Sequence, residues 1–320
     1  MSEPAASQSA RASSVLMGRQ DFVSVLLRLI GMELYKLRRR MMSKVLSSIS
    51  IVATLCLFGL IALVAFLMTR NGTSALIITN FSAGLRLPAS LSLVGQLILS
   101  LGEILMIILV STIVGGEYTD KTVRLMLTRG PTRTQFVLAK VGAALVCCAI
   151  GASVMIVLGI PLGLFFNLFT GLPFTLDFFT PAWLSHALLY ILITIFSLFV
   201  YSMLALFLAT LGRSTAAGIA GALTWLLLGE AILRTILDFI GTATGGTTGD
   251  ILRSVPDYFI GSNTGALLQN QNQYLGFFGA SSLSSPSSIS NLHAILVLLG
   301  YVVAFIGLSL WLNQKRDITN

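Results

Sequence analysis

Charged residues are scarce in this chain. Asp, Glu, Lys and Arg make up only 10% of its 320 residues, whereas hydrophobic residues make up 55%. Soluble globular domains carry roughly 25% charged residues, so the composition excludes an ordinary soluble fold. Long uncharged runs cause the imbalance, and an apolar run of about 20 residues predicts a transmembrane helix. The expected fold class is therefore an all-α polytopic membrane protein.

Cysteine and histidine are also scarce. The three cysteines, Cys56, Cys147 and Cys148, lie inside apolar runs and form no CxxC pair or His-bearing metal spacing. The two histidines have no acid or serine at a spacing typical of a catalytic triad. These absences argue against a disulfide framework, a metal site and a hydrolase site, so the chain itself is not expected to be an enzyme.

Acidic residues are outnumbered by basic residues, 12 against 20. A basic excess sometimes indicates nucleic-acid binding, but these residues adjoin apolar runs and do not alternate with aromatic residues on a soluble domain. We interpret them as topology signals and expect no nucleic-acid partner.

Apolar runs long enough to cross a bilayer are what the sequence has in abundance. Residues 45–68, for example, would give a helix about 36 Å long. Residues 1–18 are predicted to form a disordered tail before a single membrane domain over residues 19–320. Residues 241–291 are expected to form an outer segment of short helices broken at Pro256. The six predicted spans are residues 45–68, 89–114, 141–168, 183–211, 216–239 and 292–312.

The distribution of basic residues predicts the orientation of the chain. If both termini are cytoplasmic, 16 Lys and Arg residues lie on the cytoplasmic side and 3 on the outer side. The positive-inside rule favours that arrangement. We therefore expect a multi-pass protein of the plasma membrane with both termini in the cytoplasm.

The segment before the first span, residues 19–40, has helical periodicity. Its apolar residues share an arc of about 100°, and charged residues occupy the other side. Such an amphipathic helix suits the cytoplasmic membrane interface, and a solvated helix packed on a partner is the alternative. The apolar residues are Val23, Leu26, Leu27, Ile30, Leu34 and Leu37.

One charged segment, residues 115–140, interrupts the apolar sequence, and we call it the charged island. It must lie in water, and its basic excess predicts a cytoplasmic position. Its start, GGEYTDKT, nearly matches the phosphate-binding pattern GxxxxGK[ST], but Asp120 replaces the second glycine and would repel phosphate. ATP binding by this motif is therefore not expected. The charged residues are Glu117, Asp120, Lys121, Arg124, Arg129, Arg133 and Lys140.

The second predicted span has a polar face. Its polar residues fall within an arc of about 100° on a regular helix, and an acid near the bilayer centre costs on the order of 3 kcal/mol. This face is expected to line a translocation path or to form structural hydrogen bonds with a neighbouring span. The residues are Ser92, Gln96, Ser100, Glu103 and Ser111.

The fifth predicted span combines small residues with charges. Gly218, Gly221 and Ala222 form part of a groove that predicts close approach of another helix. On the opposite side, Arg234 follows Glu230 and precedes Asp238 at intervals of about one turn, so the arginine could pair with either acid. This charged ladder would face an outer vestibule or would merely anchor the span at the interface.

The charged island resembles a known family. Its sequence, GGEYTDKTVRLMLTRGPTRTQFVLAK, is similar to the loop between spans two and three of type-2 ATP-binding cassette (ABC-2) permeases. That loop runs roughly G-E-y-x-x-G-T-x-r-x-l-L-t-x-P-x-s-R-x-x-x-x-x-K. Here Lys121 stands where glycine is usual, and the RGPTR turn is extended. The matching residues are Gly116, Glu117, Tyr118, Thr122, Arg124, Leu127, Arg133 and Lys140.

The resemblance extends to the helix before the first span, with Glu33 and Lys36, to the Gly-Arg-Ser turn before span five, and to the segment VPDYFIGSN. It implies that the helix before the first span and a short coupling helix in the island dock onto a separate nucleotide-binding ATPase subunit. ATP and Mg would be used by that partner and not bound by this chain. A second permease half, identical or different, would complete the path. The implied contact residues are Glu117, Tyr118, Lys121, Thr122, Arg124, Arg129 and Arg133.

Two other functions fit the same sequence. A secondary transporter could use Glu103 as an ion or proton site, although neither an internal repeat nor paired discontinuous helices are found. A membrane anchor that transmits motion without moving a substrate would share the island. The substrate itself is not specified by the sequence.

Overall fold

The structure is a computed structural model that describes residues 22–74, 77–78, 82–85, 87–120, 132–169, 179–272, 274 and 288–315. Within these ranges the chain is helical and contains no strand. The helices are α1 (Phe22–Arg39), α2 (Met41–Arg70), α3 (Ala89–Thr119), α4 (Arg133–Phe169), α5 (Pro181–Gly212), α6 (Thr215–Thr244), α7 (Gly246–Ser254), α8 (Ile260–Asn272) and α9 (Asn291–Lys315).

Six of these helices, α2 to α6 and α9, are long and apolar enough to cross a membrane. The chain is therefore a multi-pass membrane protein. Each of the six predicted ranges lies inside one of these helices, and every helix extends beyond its predicted range at one end or both. The largest extension is at the start of α4, which begins at Arg133 because Thr132 and Gln135 cap it reciprocally. The Thr132 N–H donates to Gln135 Oε1 at 3.0 Å, and the Gln135 N–H donates to Thr132 Oγ1 at 3.3 Å.

Helix α5 is the centre of the bundle. It contacts α3, α4, α6, α8 and α9, and it is the most buried of the six spans. Tyr201, Met203 and Leu206 of α5 are almost fully buried. In contrast, α2 and α6 are the most exposed spans. The core is thus built around one central helix, with α2 and α6 at the periphery.

Glycines allow α3, α5 and α6 to approach each other closely. A Cβ at Gly115 of α3 would lie 2.4 Å from the backbone nitrogen of Thr215, at the start of α6. A Cβ at Gly218 of α6 would lie 2.7 Å from Ser111 Oγ and 2.8 Å from Ala209 Cβ. The predicted close approach at the small residues of span five is therefore confirmed at Gly218.

Two spans contain a π-helical turn, and a glutamate follows each turn directly. In α3 the turn is Ile98–Gly102 and the glutamate is Glu103; in α6 the turn is Trp225–Gly229 and the glutamate is Glu230. A π turn accommodates an extra residue and so rotates the following residues relative to the preceding ones. The turn in α3 therefore separates the angular positions of Ser100 and Glu103.

The segment between α6 and α9 forms two short helices, α7 and α8, joined by a 3₁₀ turn over Val255–Tyr258 that contains Pro256. Positive φ angles at Gly245 and Gly246 allow the chain to reverse between α6 and α7. Asn263 Nδ2 donates to the carbonyl oxygens of Asp257 and Phe259, at 2.8 and 2.7 Å, and so holds the turn against α8. Helix α8 packs on α5 and α9.

Candidate coupling site at the base of the charged island

Four charged side chains form a network where α1 meets the end of α3 and the beginning of α4. Lys140 Nζ lies 2.6 Å from Glu117 Oε2, and Lys36 Nζ lies 3.2 Å from Glu117 Oε1. Lys36 Nζ also lies 2.9 Å from Glu33 Oε1. We call Glu33, Lys36, Glu117 and Lys140 the island network, and the end of the bundle that contains it the island end.

The island network is buried. Glu33, Glu117 and Lys140 are 5%, 3% and 3% exposed, and the side chain of Lys36 is 25% exposed. Lys140 Nζ also donates to the carbonyl oxygen of Ile113 at 3.2 Å and lies 4.8 Å from the centre of the Phe136 ring. Buried charges are stable only when they are paired and hydrogen-bonded, and the network satisfies both conditions for Lys140.

Other contacts hold α1 at the same place. Arg40 Nη1 donates to the carbonyl oxygen of Thr112 in α3 at 3.3 Å. Ile30 lies where a Cβ on Gly142 of α4 would be, so the glycine permits the close packing of α1 on α4. Together with the island network, these contacts join α1, α3 and α4 at the island end.

The residues predicted to contact an ATPase have different surroundings. Glu117 is buried between Lys36 and Lys140, which suits a positioning role. Its contact with an ATPase stays a prediction. Tyr118 is half-buried against Phe136 and Val137. Arg133 Nη1 donates to the carbonyl oxygens of Asn313 and Gln314, at 3.2 and 3.1 Å, and thus caps the end of α9. Lys121, Thr122, Arg124 and Arg129 lie outside the described residues.

The predicted polar face of span two is divided. Ser92, Glu103 and Ser111 are buried in the protein, whereas Gln96 and Ser100 are exposed. The π turn accounts for the difference between Ser100 and Glu103, because a regular helical period no longer relates them. Ser92 and Gln96 both precede the turn, and their difference comes from the packing of neighbouring helices. The prediction of one continuous polar face along α3 is therefore wrong, because its residues lie in two different surroundings.

Glu103 is held by a neighbour on the central helix. It is 5% exposed, and Ser197 Oγ of α5 donates to Glu103 Oε1 at 2.7 Å. Within the described ranges no lysine or arginine forms an ion pair with it. Ser197 is a residue that the sequence did not identify, since a single serine in an apolar span carries no periodic signal.

The charged ladder of span five does not form as predicted. Among the described residues, Arg234 pairs with neither acid; its guanidinium donates to Ser262 Oγ at the start of α8. Glu230 instead accepts hydrogen bonds from Trp225 Nε1 at 3.1 Å and from the Gly261 N–H at 2.8 Å. The π turn and the approach of α8 supply these donors, and neither is visible in a helical period.

An open cleft of about 790 Å³ lies between the second half of α6 and the segment formed by α7 and α8. It contains both acidic and basic side chains, at the end of the bundle opposite the island end. Asp238 is exposed there. The lining includes Glu230, Arg234, Asp238, Arg253, Asp257 and Gln269.

The chain matches the family described as "Protein of unknown function (DUF2705)" over residues 56–319. This range is more than three quarters of the chain, and it includes α3 to α9 with both Glu103 and the charged island. It begins within α2, so α1 lies outside the matched range. No curated protein matches the chain.

Proposed function

We propose, from the premise that the chain belongs to this DUF2705 family, that it is the membrane-spanning permease subunit of an ATP-binding cassette exporter. The chain would form part of the translocation path, and a separate ATPase subunit would bind and hydrolyse ATP with Mg. The charged island would receive the ATPase. The proposal combines the ABC-2 resemblance of the island with the position of the island network.

The island network is the observation that carries the proposal. A loop that receives force must be fixed to the helices that it moves. Glu117 lies in the last turn of α3, Lys140 in the first turns of α4, and Lys36 on α1. Ion pairs that bury Glu117 therefore join the two helices that lead into and out of the island to α1. A push on the island would therefore move these helices together, because packed elements shift as rigid bodies.

Helix α3 offers a route from the island to the middle of the bundle. It runs from Thr119 back to Glu103 as a regular α-helix, and the π turn begins directly beyond Glu103. We propose that a displacement of the island end changes the contact between Glu103 and Ser197. Local repacking at a π turn makes such a change less costly than bending a regular helix.

The same proposal fixes the placement in the membrane. The chain would lie in the plasma membrane with both termini in the cytoplasm, the island end facing the cytoplasm, and α1 in the membrane interface. Segment α7–α8 would then lie at the outer side. The basic-residue distribution supports this orientation.

A second permease half is part of the proposal. Arg234 and Asp238 are exposed on α6, and charged side chains within a span rarely face lipid. Contact with another polypeptide or with a water-filled path would lower the free-energy cost of placing these charges within the membrane. We therefore place the second half, identical or different, against α6 and its cleft.

The partner is tested by isolating the affinity-tagged full-length chain from native membranes and identifying co-purifying proteins by mass spectrometry. We expect an ATPase with Walker motifs. The charge-reversing variant Arg124→Glu/Arg129→Glu should lose it, and the charge-preserving variant Arg124→Lys/Arg129→Lys should retain it. The proposal would be contradicted if the wild type and both variants recovered equal amounts of the ATPase, or if none of them recovered an ATPase with Walker motifs.

One observation favours a second candidate function. Glu103 is a buried acid without a described cation, as an ion- or proton-coupled transporter would require. The variant Glu103→Gln separates the two candidates. A proton-coupled carrier should lose its dependence on the gradient, whereas an ATP-driven permease should keep its dependence on nucleotide.

A further inference from the structure

We propose that exposed basic residues around the junction of α1 and α2 bind anionic lipid headgroups. Arg38, Arg39 and Lys44 form the centre of this surface, and Arg28 extends it along α1. We call these four residues the headgroup surface. The inference rests on the proposed interfacial position of α1, but it requires no ATPase partner.

The basic residues of this segment divide into two groups. Lys36 and Arg40 turn into the protein, where Lys36 pairs with Glu33 and Glu117 and Arg40 donates to Thr112. The four residues of the headgroup surface are exposed, and no acidic side chain of the described ranges pairs with them. The guanidinium carbon of Arg39 lies 5.0 Å from the centre of the Tyr35 ring, and this contact orients the Arg39 side chain along the helix surface. The outward charge is therefore positive and available to an anion.

The depth of α1 places this charge at the edge of the bilayer. Ile30 packs at Gly142, and Arg40 bonds to the carbonyl of Thr112. These two positions on α4 and α3 lie next to the ends of the uncharged runs, at residues 141 and 114. A helix fixed at this level lies where headgroups begin.

Exposed apolar residues adjoin the headgroup surface. Met41, Met42 and Val45 are 74%, 45% and 49% exposed, and they continue into the exposed apolar side of α2. The chain bends between α1 and α2 at Arg40, which has an extended backbone, so basic and apolar residues meet at a corner. A lipid presents an anionic phosphate above acyl chains, and this pairing matches the corner better than a soluble anion does. A soluble protein would not reach the apolar side of α2.

The position also explains why the bundle covers only part of the apolar arc of α1. Leu26, Ile30 and Leu37 face the bundle, whereas Val23 and Leu27 are 62% and 63% exposed. Exposed leucine and valine on a helix in water would be unfavourable, but the acyl boundary accommodates them. Each basic residue near an anionic surface should strengthen binding roughly fivefold.

Binding is tested on the full-length protein in a neutral detergent. Phosphatidylglycerol is titrated against phosphatidylcholine, and bound lipid is counted by native mass spectrometry at low and high salt. We expect preferential binding of phosphatidylglycerol that weakens with salt. The variant Arg38→Gln/Arg39→Gln should weaken it about 25-fold, on the basis of roughly fivefold for each charge. The control Arg70→Gln/Arg253→Gln removes the same charge at the opposite end and should have no such effect.

Any one of three results would overturn the proposal. These are equal binding of phosphatidylcholine and phosphatidylglycerol, equal weakening of binding by both double variants, and competition by soluble glycerol phosphate at the concentration of the lipid. If Arg38→Gln/Arg39→Gln kept its lipid preference but lost a co-purifying ATPase, the surface would belong to a protein interface instead. Lipid binding without any ATPase would leave this proposal intact while contradicting the proposed function, so the two failures are distinguishable.

Discussion

Helix α3 buries two glutamates in different ways. Glu117, at the island end, lies between Lys36 and Lys140 and is 3% exposed. Glu103, in the middle of the same helix, is 5% exposed and accepts a hydrogen bond from Ser197. One acid is fixed by two cations from two other helices, and the other is held by a single hydroxyl group.

The two kinds of contact suit different roles, one that fixes helices in place and one that allows contacts to change. A buried ion pair is geometrically demanding, since loss of either partner leaves an uncompensated charge. A hydrogen bond to a hydroxyl group is broken and re-formed at a smaller cost, and the adjacent π turn provides room for rearrangement. We infer that the Glu117 region holds its helices together, whereas the Glu103 region can change its contacts.

The largest expected effect is the loss of the paired acid. Glu117→Gln should lower the free energy of unfolding by about 3–5 kcal/mol, because Lys140 would be left buried without a counter-charge. Thermal unfolding in a fixed detergent measures the change. The control Glu117→Leu/Lys140→Met removes both charges and should recover much of the loss. Equal destabilisation by the single and double variants would show that the pair does not hold this end.

The second-largest effect is expected where α3 packs closely against the start of α6, near Glu117. Gly115→Ala should lower stability by about 1–3 kcal/mol, since its Cβ would meet the backbone of Thr215 at 2.4 Å. Gly116→Ala is the matched control, because the nearest atom lies 3.8 Å away. That variant should be neutral or slightly stabilising within the helix. Identical behaviour of the two variants, measured by thermal unfolding, would argue against a tight island end.

A smaller effect is expected at Arg133. Arg133→Ala removes a cap from the last carbonyl groups of α9 and should cost about 1 kcal/mol or less. Hydrogen exchange should increase at residues 312–315. Arg133→Lys keeps the charge and should retain part of the protection. Unchanged exchange in the alanine variant would show that Arg133 does not stabilise the end of α9.

The smallest effect is expected at the other glutamate of α3. Glu103→Gln should change the free energy of unfolding by less than about 1 kcal/mol, because no cation among the described residues loses its partner and the amide oxygen still accepts from Ser197. The same thermal assay applies. A loss as large as that of Glu117→Gln would mean that Glu103 is also ion-paired, and the contrast along α3 would fail.

Much of the helical architecture could be predicted from hydropathy, because a span needs about 20 apolar residues whatever it packs against. The boundaries depend on local capping. Residues 133–140 carry polar and charged side chains, yet Thr132 and Gln135 start α4 before them. A capping box is readable from the sequence, but hydropathy alone does not detect it.

The site was harder to predict, for two physical reasons. The bond between Lys36 and Glu117 joins residues 81 positions apart, and periodicity within one helix cannot indicate such a pair. The π turn before Glu103 also breaks the helical period that the predicted polar face assumed. The charged ladder fails for another reason, since Glu230 and Arg234 find their partners at Trp225 and on α8. The charges were correctly identified as unusual, but their partners come from packing of other helices.

The central claim is tested most directly by measuring how tightly the candidate ATPase binds vesicles that contain the chain. Wild-type, Glu103→Gln and Glu117→Gln proteins are compared at equal amounts of folded protein, as judged by size-exclusion chromatography. We predict wild-type affinity for Glu103→Gln and a loss of about tenfold or more for Glu117→Gln, because only the latter releases the base of the charged island. Equal affinity for all three proteins, or a loss confined to Glu103→Gln, would contradict the account.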